Sequence, residues 1–360
     1  MKFYMPVRVY DEKDCVRSHG KELSSFGAHA LIVTGRHSAK ACGALDDVIS
    51  VLAENGKTYS IFSEIEENPS VETVLKAAAF GKEEKADFVI GIGGGSPLDA
   101  AKAIAFLMYR ENGSAADLYD ASLPADSLPV IAVPTTCGTG SEVTGVSVLT
   151  VHEKKTKQSI PHRIFPKLAL VDGKYLCSAP HAMIVNTAVD AFAHMAESYL
   201  SVKADDYSKA AALAGLAIWK DVRDVLAGER EADEEDRAKL MRASTFAGIA
   251  IAQTGTSIPH ALSYILTYDQ KIPHGKAAGY FLGRFIANAS EEDRTAVLGT
   301  AGFEDVSEFM DFLVRAFGEV EVPEETLRRA YENVSSNPVR MKSARMEVTP
   351  EVLYEITGLK

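Results

Sequence analysis

Cysteine is scarce in this chain of 360 residues, and what little there is excludes two classes of small stapled fold. Cys15, Cys42, Cys137 and Cys177 stand far apart with no CxxC pair, so neither a disulfide framework nor a cysteine zinc site is expected, and the four read as reduced, buried small hydrophobes. Positive charge is also in short supply. The 38 Lys and Arg against 50 Asp and Glu give a net charge of -12, with no basic stripe of the kind that binds nucleic acid or an anionic membrane. Long apolar runs are missing too: the longest, Ala210 to Trp219, is about half of the roughly 20 residues a membrane-spanning helix needs. The N-terminal MKFYMPVRVYDEKD has a polar residue every few positions and cannot supply the apolar centre of a secretory signal, so a cytoplasmic address is the expectation. There is no fixed-period repeat and no low-complexity linker.

What the chain does have is an ordinary globular balance, 46% hydrophobic and 24% charged, with the length of two domains. Apolar β-rich runs recur in the first half: LIVTG at 31–35, YSIF at 59–62, FVIGIG at 88–93, VIAVPT at 130–135 and ALVD at 169–172. Between them, 45–54, 71–85 and 98–108 are amphipathic and long enough for crossover helices. That alternation predicts an α/β doubly wound parallel sheet. The segment 146–160 reads instead as a hairpin around a charged turn. After Cys177 the strand signal fades, and Ala, Leu, Glu and Lys dominate stretches such as 207–224 and 238–253. The expectation is therefore an α/β domain over 1–177 and an all-helical domain over 178–360, with the ligand site in the cleft between them.

GIGGGSPLDAAKAIA follows a strand and opens a helix, with Gly93, Gly94 and Gly95 at the turn, Ser96 at the N-cap and Pro97 at the first helical position. Glycines let a backbone approach a pyrophosphate closely, and the helix N-terminus favours its charge. Ser96 and Asp99 also suit a plain capping box, and both readings stand at this point. The pattern is GxGxxS after the third predicted strand, without the acidic residue of the common dinucleotide fingerprint. PTTCGTGSEVT at 134–144 supplies a second loop of small and hydroxyl residues after another strand, and two such loops at neighbouring strand ends favour a nucleotide crevice.

In NTAVDAFAHMAESYLS, Asp190 and His194 are four apart in a helical pattern and share one face. Further on, His260 and His274 each stand at the start of a helix, with 268–273 as the connecting turn. Three imidazoles and one carboxylate suit Fe(II) or Zn(II) better than Mg(II) or Ca(II).

GGGSPLDAAK at 93–102, PTTCGTGSEVT at 134–144, DAFAHMAESY at 190–199 and HALSYILTYDQKIPHG at 260–275 resemble, in order and spacing, the signatures of the iron-containing (group III) alcohol dehydrogenases. The resemblance covers essentially the whole chain. It implies a dinucleotide-binding α/β domain, a helical metal domain, a homodimer, and hydride transfer between a nicotinamide and a small alcohol or aldehyde. The implied metal ligands are Asp190, His194, His260 and His274. Gly93, Gly94, Gly95 and Ser96 would lie under the pyrophosphate, with Asp99, Thr135, Thr136, Thr139, Ser141 and Lys157 along the cofactor path. Gly35 falls where the adenosine ribose is read, a position that often carries Asp in NAD-dependent members; Gly there, followed by Arg36, His37 and Ser38, implies a preference for NADP(H) over NAD(H).

One position departs from the family pattern. Many members carry a second histidine four residues after the first of HALSY, where this chain has Tyr264. A proton relay through Tyr264, a ribose hydroxyl or ordered water stands in its place, and Tyr264 and His274 are the candidate catalytic residues. Ile251 is a candidate either for shaping the substrate pocket or for a plain core role. The rival reading is a cyclising lyase resembling dehydroquinate synthase, which would require a basic cluster near the metal. Only Lys271 and Lys276 lie in the metal motifs.

Overall fold

The computed structural model describes residues 3–154 and 156–359. They form two compact units: an α/β unit of Met5–Thr136 with Ser141–Ala179, and a helical unit from Pro180 onward that also takes in Cys137–Gly140, Phe3 and Tyr4.

The α/β unit contains strands β1 (Arg8–Asp11), β2 (His29–Thr34), β3 (Thr58–Phe62), β4 (Phe88–Gly93), β5 (Val130–Pro134), β6 (Val148–Val151), β7 (Thr156–Ser159) and β8 (Leu168–Val171). Six of them make one parallel sheet in the order β1-β8-β5-β4-β2-β3, while β6 and β7 form the antiparallel hairpin read from the charged turn. Helices α1 (Ala44–Glu54), α2 (Val71–Glu83) and α3 (Gly95–Tyr109) cover the faces. The alternation of side chains explains why the inner strands are continuously apolar. Leu31 and Val33 of β2 join the core with α2 and α3, whereas Ala30 and Ile32 join the core with α1 on the other side. Gly91 lets α3 lie close on β4, since a Cβ there would stand 2.9 Å from that of Ala101.

Strand order also locates the ligand-competent edge. From β2 the chain moves outward to β3, then returns to place β4 on the other side of β2. The carboxyl ends of β2 and β4 thus flank a topological switch point, where open α/β sheets bind ligands. The loops that leave those ends begin at Gly35 and Gly94.

Several details differ from the sequence reading, among them Cys177, which is exposed where all four cysteines were read as buried. Strand β1, RVYD, was not foreseen, because an edge strand paired only to β8 and partly exposed has no apolar run to betray it; the glycine loop therefore follows the fourth strand, not the third. Helix α3 starts at Gly95 with Gly94 as its N-cap and no side-chain cap. Ser96 is one residue inside it, and there is no capping box: the Ser96 hydroxyl accepts from the Asn68 backbone N–H at 3.0 Å, while Asp99 is engaged elsewhere.

In the helical unit α4 (His181–Tyr199), α5 (Asp206–Lys220), α6 (Glu234–Thr254), α7 (Ile258–Gln270) and α8 (His274–Ala287) precede shorter helices that reach Thr357. Helix α7 runs to Gln270, so the turn before α8 is Lys271–Pro273, shorter than the 268–273 expected; Lys271, with φ of 57°, ends the helix in the left-handed region. Helix α4 is buried without a break from Ala188 to Tyr199, and Trp219 of α5 anchors it by donating its indole N–H to the Ala188 carbonyl at 2.9 Å. Among the described residues no helix is long and apolar enough to cross a membrane.

Candidate functional site

Asp190, His194 and Glu197 lie along one face of α4 and all are buried. The steps of four and three residues keep successive side chains on the same side of a helix. His260, third residue of α7, and His274, first residue of α8, come to the same point. Around Asp190 Oδ1 the three Nε2 atoms stand at 3.2 Å (His260), 3.7 Å (His274) and 4.0 Å (His194). Ligands 2.0–2.2 Å from a tetrahedral ion are about 3.4 Å apart; the ligand atoms of Asp190, His260 and His274 all lie within 4.8 Å of one another and suit a shared cation, while His194, 4.0 Å from Asp190 Oδ1, stands outside that group. The chemistry of the set asks for one as well: a carboxylate and three nitrogen lone pairs repel in the absence of positive charge.

Neighbouring groups settle which nitrogen His194 and His260 present. His194 Nδ1 lies 3.2 Å from the Gly138 carbonyl, which can only accept, so Nδ1 holds the proton and Nε2 faces Asp190. His260 Nδ1 likewise pairs with the Glu197 carboxylate. His274 is set by backbone packing. A Cβ on Gly275 would lie 1.8 Å from the Asn186 carbonyl oxygen, so α8 rests directly on α4, and the Lys276 N–H donates to Asn186 Oδ1 at 2.8 Å. Burial pushes the Asp190 carboxyl up, but the three imidazoles outweigh it and hold the group well below the usual carboxylate range. For His260, burial works against the proton, yet Glu197 and Asp190 hold the ring well above the ordinary imidazole value. His194, where burial dominates, is pushed down. Two buried carboxyl groups, Asp190 and Glu197, thus face one cluster of imidazoles.

Around this centre, His274 is the open side: its side chain is 28% exposed against 7% for His194 and 2% for His260. The Tyr264 ring stacks on it, with centroids 5.9 Å apart. Lys276 donates to the Phe317 carbonyl at 2.7 Å and Lys271 lies over the Tyr268 ring, so these two lysines are engaged elsewhere and provide no basic cluster for a phosphorylated substrate. Ile251 is half-buried near the end of α6.

In the α/β unit the glycine loop is as tight as its sequence suggests. Gly93 has φ of 150°, and a Cβ on Gly94 would meet the Thr136 hydroxyl at 2.9 Å. Thr135, just after β5, is buried with its hydroxyl unpartnered among the described residues. Gly35 is half-buried, and Arg36, His37 and Ser38 that follow it are exposed. Asp99 and Ser141 are brought together in an internal brace. Ser141 donates to Asp99 at 2.5 Å, the Val148 N–H donates to Asp99 at 2.9 Å, and the fully buried Lys102 ammonium donates to Ser141 at 2.7 Å and to the Val146 carbonyl at 2.8 Å. Burial pulls the Lys102 pKa down. Lys157 is half-buried on β7.

Two family models match the chain: iron-containing alcohol dehydrogenase over residues 6–173, and the C-terminal model of the same family over residues 184–347. The chain belongs to the iron-containing alcohol dehydrogenase family. An iron-containing alcohol dehydrogenase from Thermotoga maritima, known from its crystal structure, is 37% identical with a TM-score of 0.90, and 99% of each chain is covered. Long-chain-alcohol dehydrogenase 1 of Geobacillus thermodenitrificans is 35% identical over 268 residues, 72% of this chain and 66% of that protein. The NADPH-dependent butanol dehydrogenase of Clostridium saccharobutylicum is 30% identical over 287 residues, 78% and 72% respectively. The chain thus spans about two thirds of the length of these curated relatives. Membership makes it an oxidoreductase of a family that uses a divalent metal and a nicotinamide cofactor.

Several members of the site were not singled out from the sequence. Glu197 was legible in principle, three residues after His194 on the buried face. Gly138 was read as part of a nucleotide loop, yet Cys137–Gly140 packs within the helical unit: a Cβ on Gly138 would press on the Thr187 carbonyl oxygen at 2.8 Å, and one on Gly140 on Gly248 Cα at 2.4 Å. Thr139, placed on the cofactor path by resemblance, belongs to that same segment. Lys102 and Gly275 carry no local signal, because their roles depend on neighbours distant in sequence.

Proposed function

We propose that the chain interconverts a small alcohol and its aldehyde with NAD(P), using one Fe(II), or Zn(II), held by Asp190, His194, His260 and His274. The observation that carries this reading is the convergence of three imidazole Nε2 atoms within 4.0 Å of one buried carboxylate oxygen. When bound, the ion supplies a Lewis acid for a hydroxyl or carbonyl oxygen and the nicotinamide supplies the hydride carrier. The protein residues orient and exclude water. Gly138 fixes His194, the apolar surroundings of α4 keep the centre dry, and the exposed flank of His274 is the side open to substrate. Tyr264, stacked there, is the side chain available to hold or pass the proton.

In the same reading the segment 1–177 is the cofactor domain and 178–360 the metal domain of a cytoplasmic homodimer. Gly93, Gly94, Gly95 and Ser96 receive the pyrophosphate at the uncapped start of α3. Thr135 and Thr136 line the path, with Lys157 a further contact, while Asp99 and Ser141 hold its shape.

NADP(H) is the preferred cofactor. A side chain at position 35 would have room, its Cβ nearest to the Ile65 carbonyl oxygen at 3.4 Å, so Gly35 leaves space and no negative charge beside a 2′-phosphate. Arg36 supplies positive charge, and its acidic neighbour Glu64 is neutralised by Lys76 at 2.6 Å. The test is anaerobic purification with metal analysis, then kcat/KM for short aldehydes, diols and hydroxyaldehydes with both cofactors. A parent that favours NADH refutes the cofactor assignment; a metal-free enzyme of full activity refutes the whole reading.

A further inference from the structure

Glu197 is a fully buried carboxylate in the last turn of the buried helix α4, and such a group persists only when its charge is used. It stands seven residues after Asp190 and three after His194 on α4. One of its oxygens takes the His260 Nδ1–H and the other takes the backbone N–H of Ser257, the N-cap of α7. His260 is consequently held between two carboxylates, Glu197 at Nδ1 and Asp190 at Nε2. We propose that Glu197 is the positioning residue that makes His260 a metal ligand: it retains the Nδ1 proton, leaves the Nε2 lone pair for the ion, and ties that ring to the first turn of α7.

The inference rests on the four-ligand centre and goes further in one respect. Asp190 and Glu197 carry one negative charge each, and the three imidazoles are neutral when they ligate. A divalent ion therefore completes an electrically neutral buried assembly, which is the arrangement of least desolvation penalty. Without Glu197 the same assembly holds a net positive charge in an apolar surround.

The geometry makes Glu197→Gln an informative change. Both partners of Glu197 are N–H donors, and glutamine offers one acceptor oxygen and one NH2. If the oxygen stays on Ser257, the NH2 faces His260 Nδ1 and the ring must give up that proton, moving it to Nε2 where it blocks the ion. If the oxygen turns to His260, two donors oppose each other at Ser257. Glu197→Asp keeps both acceptors and the charge on a shorter stem.

The experiment compares the parent, Glu197→Gln, Glu197→Asp and His260→Ala as full chains. Readouts are Zn(II) and Co(II) dissociation constants by chelator competition, the visible spectrum of the Co(II)-loaded protein, the thermal midpoint of the metal-free protein and the dissociation constant for NADPH. Glu197→Gln should weaken metal binding by about 10–100-fold and alter the Co(II) bands, with NADPH affinity unchanged and Glu197→Asp recovering part of the loss. Glu197→Gln with parental metal affinity and spectrum overturns the proposal. So does an equal loss in both Glu197 variants that tracks a fallen metal-free midpoint, since that is a purely structural role. His260→Ala with parental metal affinity overturns the four-ligand centre itself, and the proposal with it. A measurement on the parent is independent of any variant's folding: histidine nitrogen NMR of the Zn(II)-loaded protein should show the His260 ring metallated at Nε2 and protonated at Nδ1, and metallation at Nδ1 overturns the assignment.

Discussion

Gly275→Ala isolates the packing that aims His274. The added Cβ would stand 1.8 Å from the Asn186 carbonyl oxygen and 3.1 Å from Asp190 Cβ, so to reach an ordinary contact of 3.4 Å the start of α8 must retreat from α4 by about 1.6 Å. Neither obstacle is the free end of a flexible side chain, so rotamer changes cannot absorb the clash. Overpacking of this kind costs about 1–3 kcal/mol of stability. His274 is the adjacent residue and must move with the backbone, far beyond the ~0.5 Å tolerance of a preorganised ligand set. Metal affinity should fall by at least the roughly 10–100-fold seen when a ligand's support is removed. The assay is chelator competition for Zn(II), alongside the thermal midpoints of metal-free and loaded protein. Gly299→Ala serves as control, because that exposed position in the helix Glu291–Thr300 has nothing within 4 Å of an added Cβ, and it should stabilise by about 0.5–1 kcal/mol. A folded Gly275→Ala protein that binds Zn(II) as the parent does would refute the reasoning.

Gly94→Val should lose cofactor affinity and keep the metal, since its side chain enters the space of Thr136; unchanged titrations with both nicotinamide dinucleotides would make the loop merely structural. Gly35→Asp should weaken NADPH relative to NADH by about 100-fold, equivalent to roughly 3 kcal/mol, by setting a carboxylate against the 2′-phosphate; an unchanged cofactor ratio in kcat/KM counts against it. Acid stability should depend on Asp47. Burial pushes that carboxyl up, but bonds from Lys174, Arg17 and Tyr175 outweigh burial and hold it below its ordinary value. Its contribution is therefore complete above the unfolded pKa of about 3.9 and is lost as pH falls through the lower folded value. Asp47→Asn should flatten the acid limb of the unfolding midpoint against pH, and a limb of unchanged slope would exclude that role.

The central strands were legible because β2, β4 and β5 are covered on both faces and have to be apolar throughout. Strand β1 was not, since one neighbour and a partly exposed RVYD satisfy the same hydrogen bonds with no hydrophobic signature. The same contrast runs through the site. Asp190 and His194 could be paired from spacing because both sit on one helix, and the helix starts at His260 and His274 are marked by Pro259 and Pro273. What those residues meet is a matter of tertiary packing. Gly138 reaches His194 across 56 positions, Gly275 meets Asn186 and Lys102 meets Ser141, and no local pattern encodes such distances. Ser96 shows the opposite case: a serine before a proline at a helix start reads as a cap, yet a tertiary contact with Asn68 and a glycine N-cap displaced it.

The central claim is that four side chains hold one ion on which turnover depends. Anaerobic reconstitution of the chelator-stripped enzyme with increasing Fe(II), followed by metal content and NADPH-linked aldehyde reduction in the same samples, tests it most directly. Activity should be absent without metal, rise in proportion to bound ion and level off at one ion per chain, with His274→Ala failing to reach either plateau. Full turnover in the stripped protein, or activity indifferent to the ion bound, would contradict it.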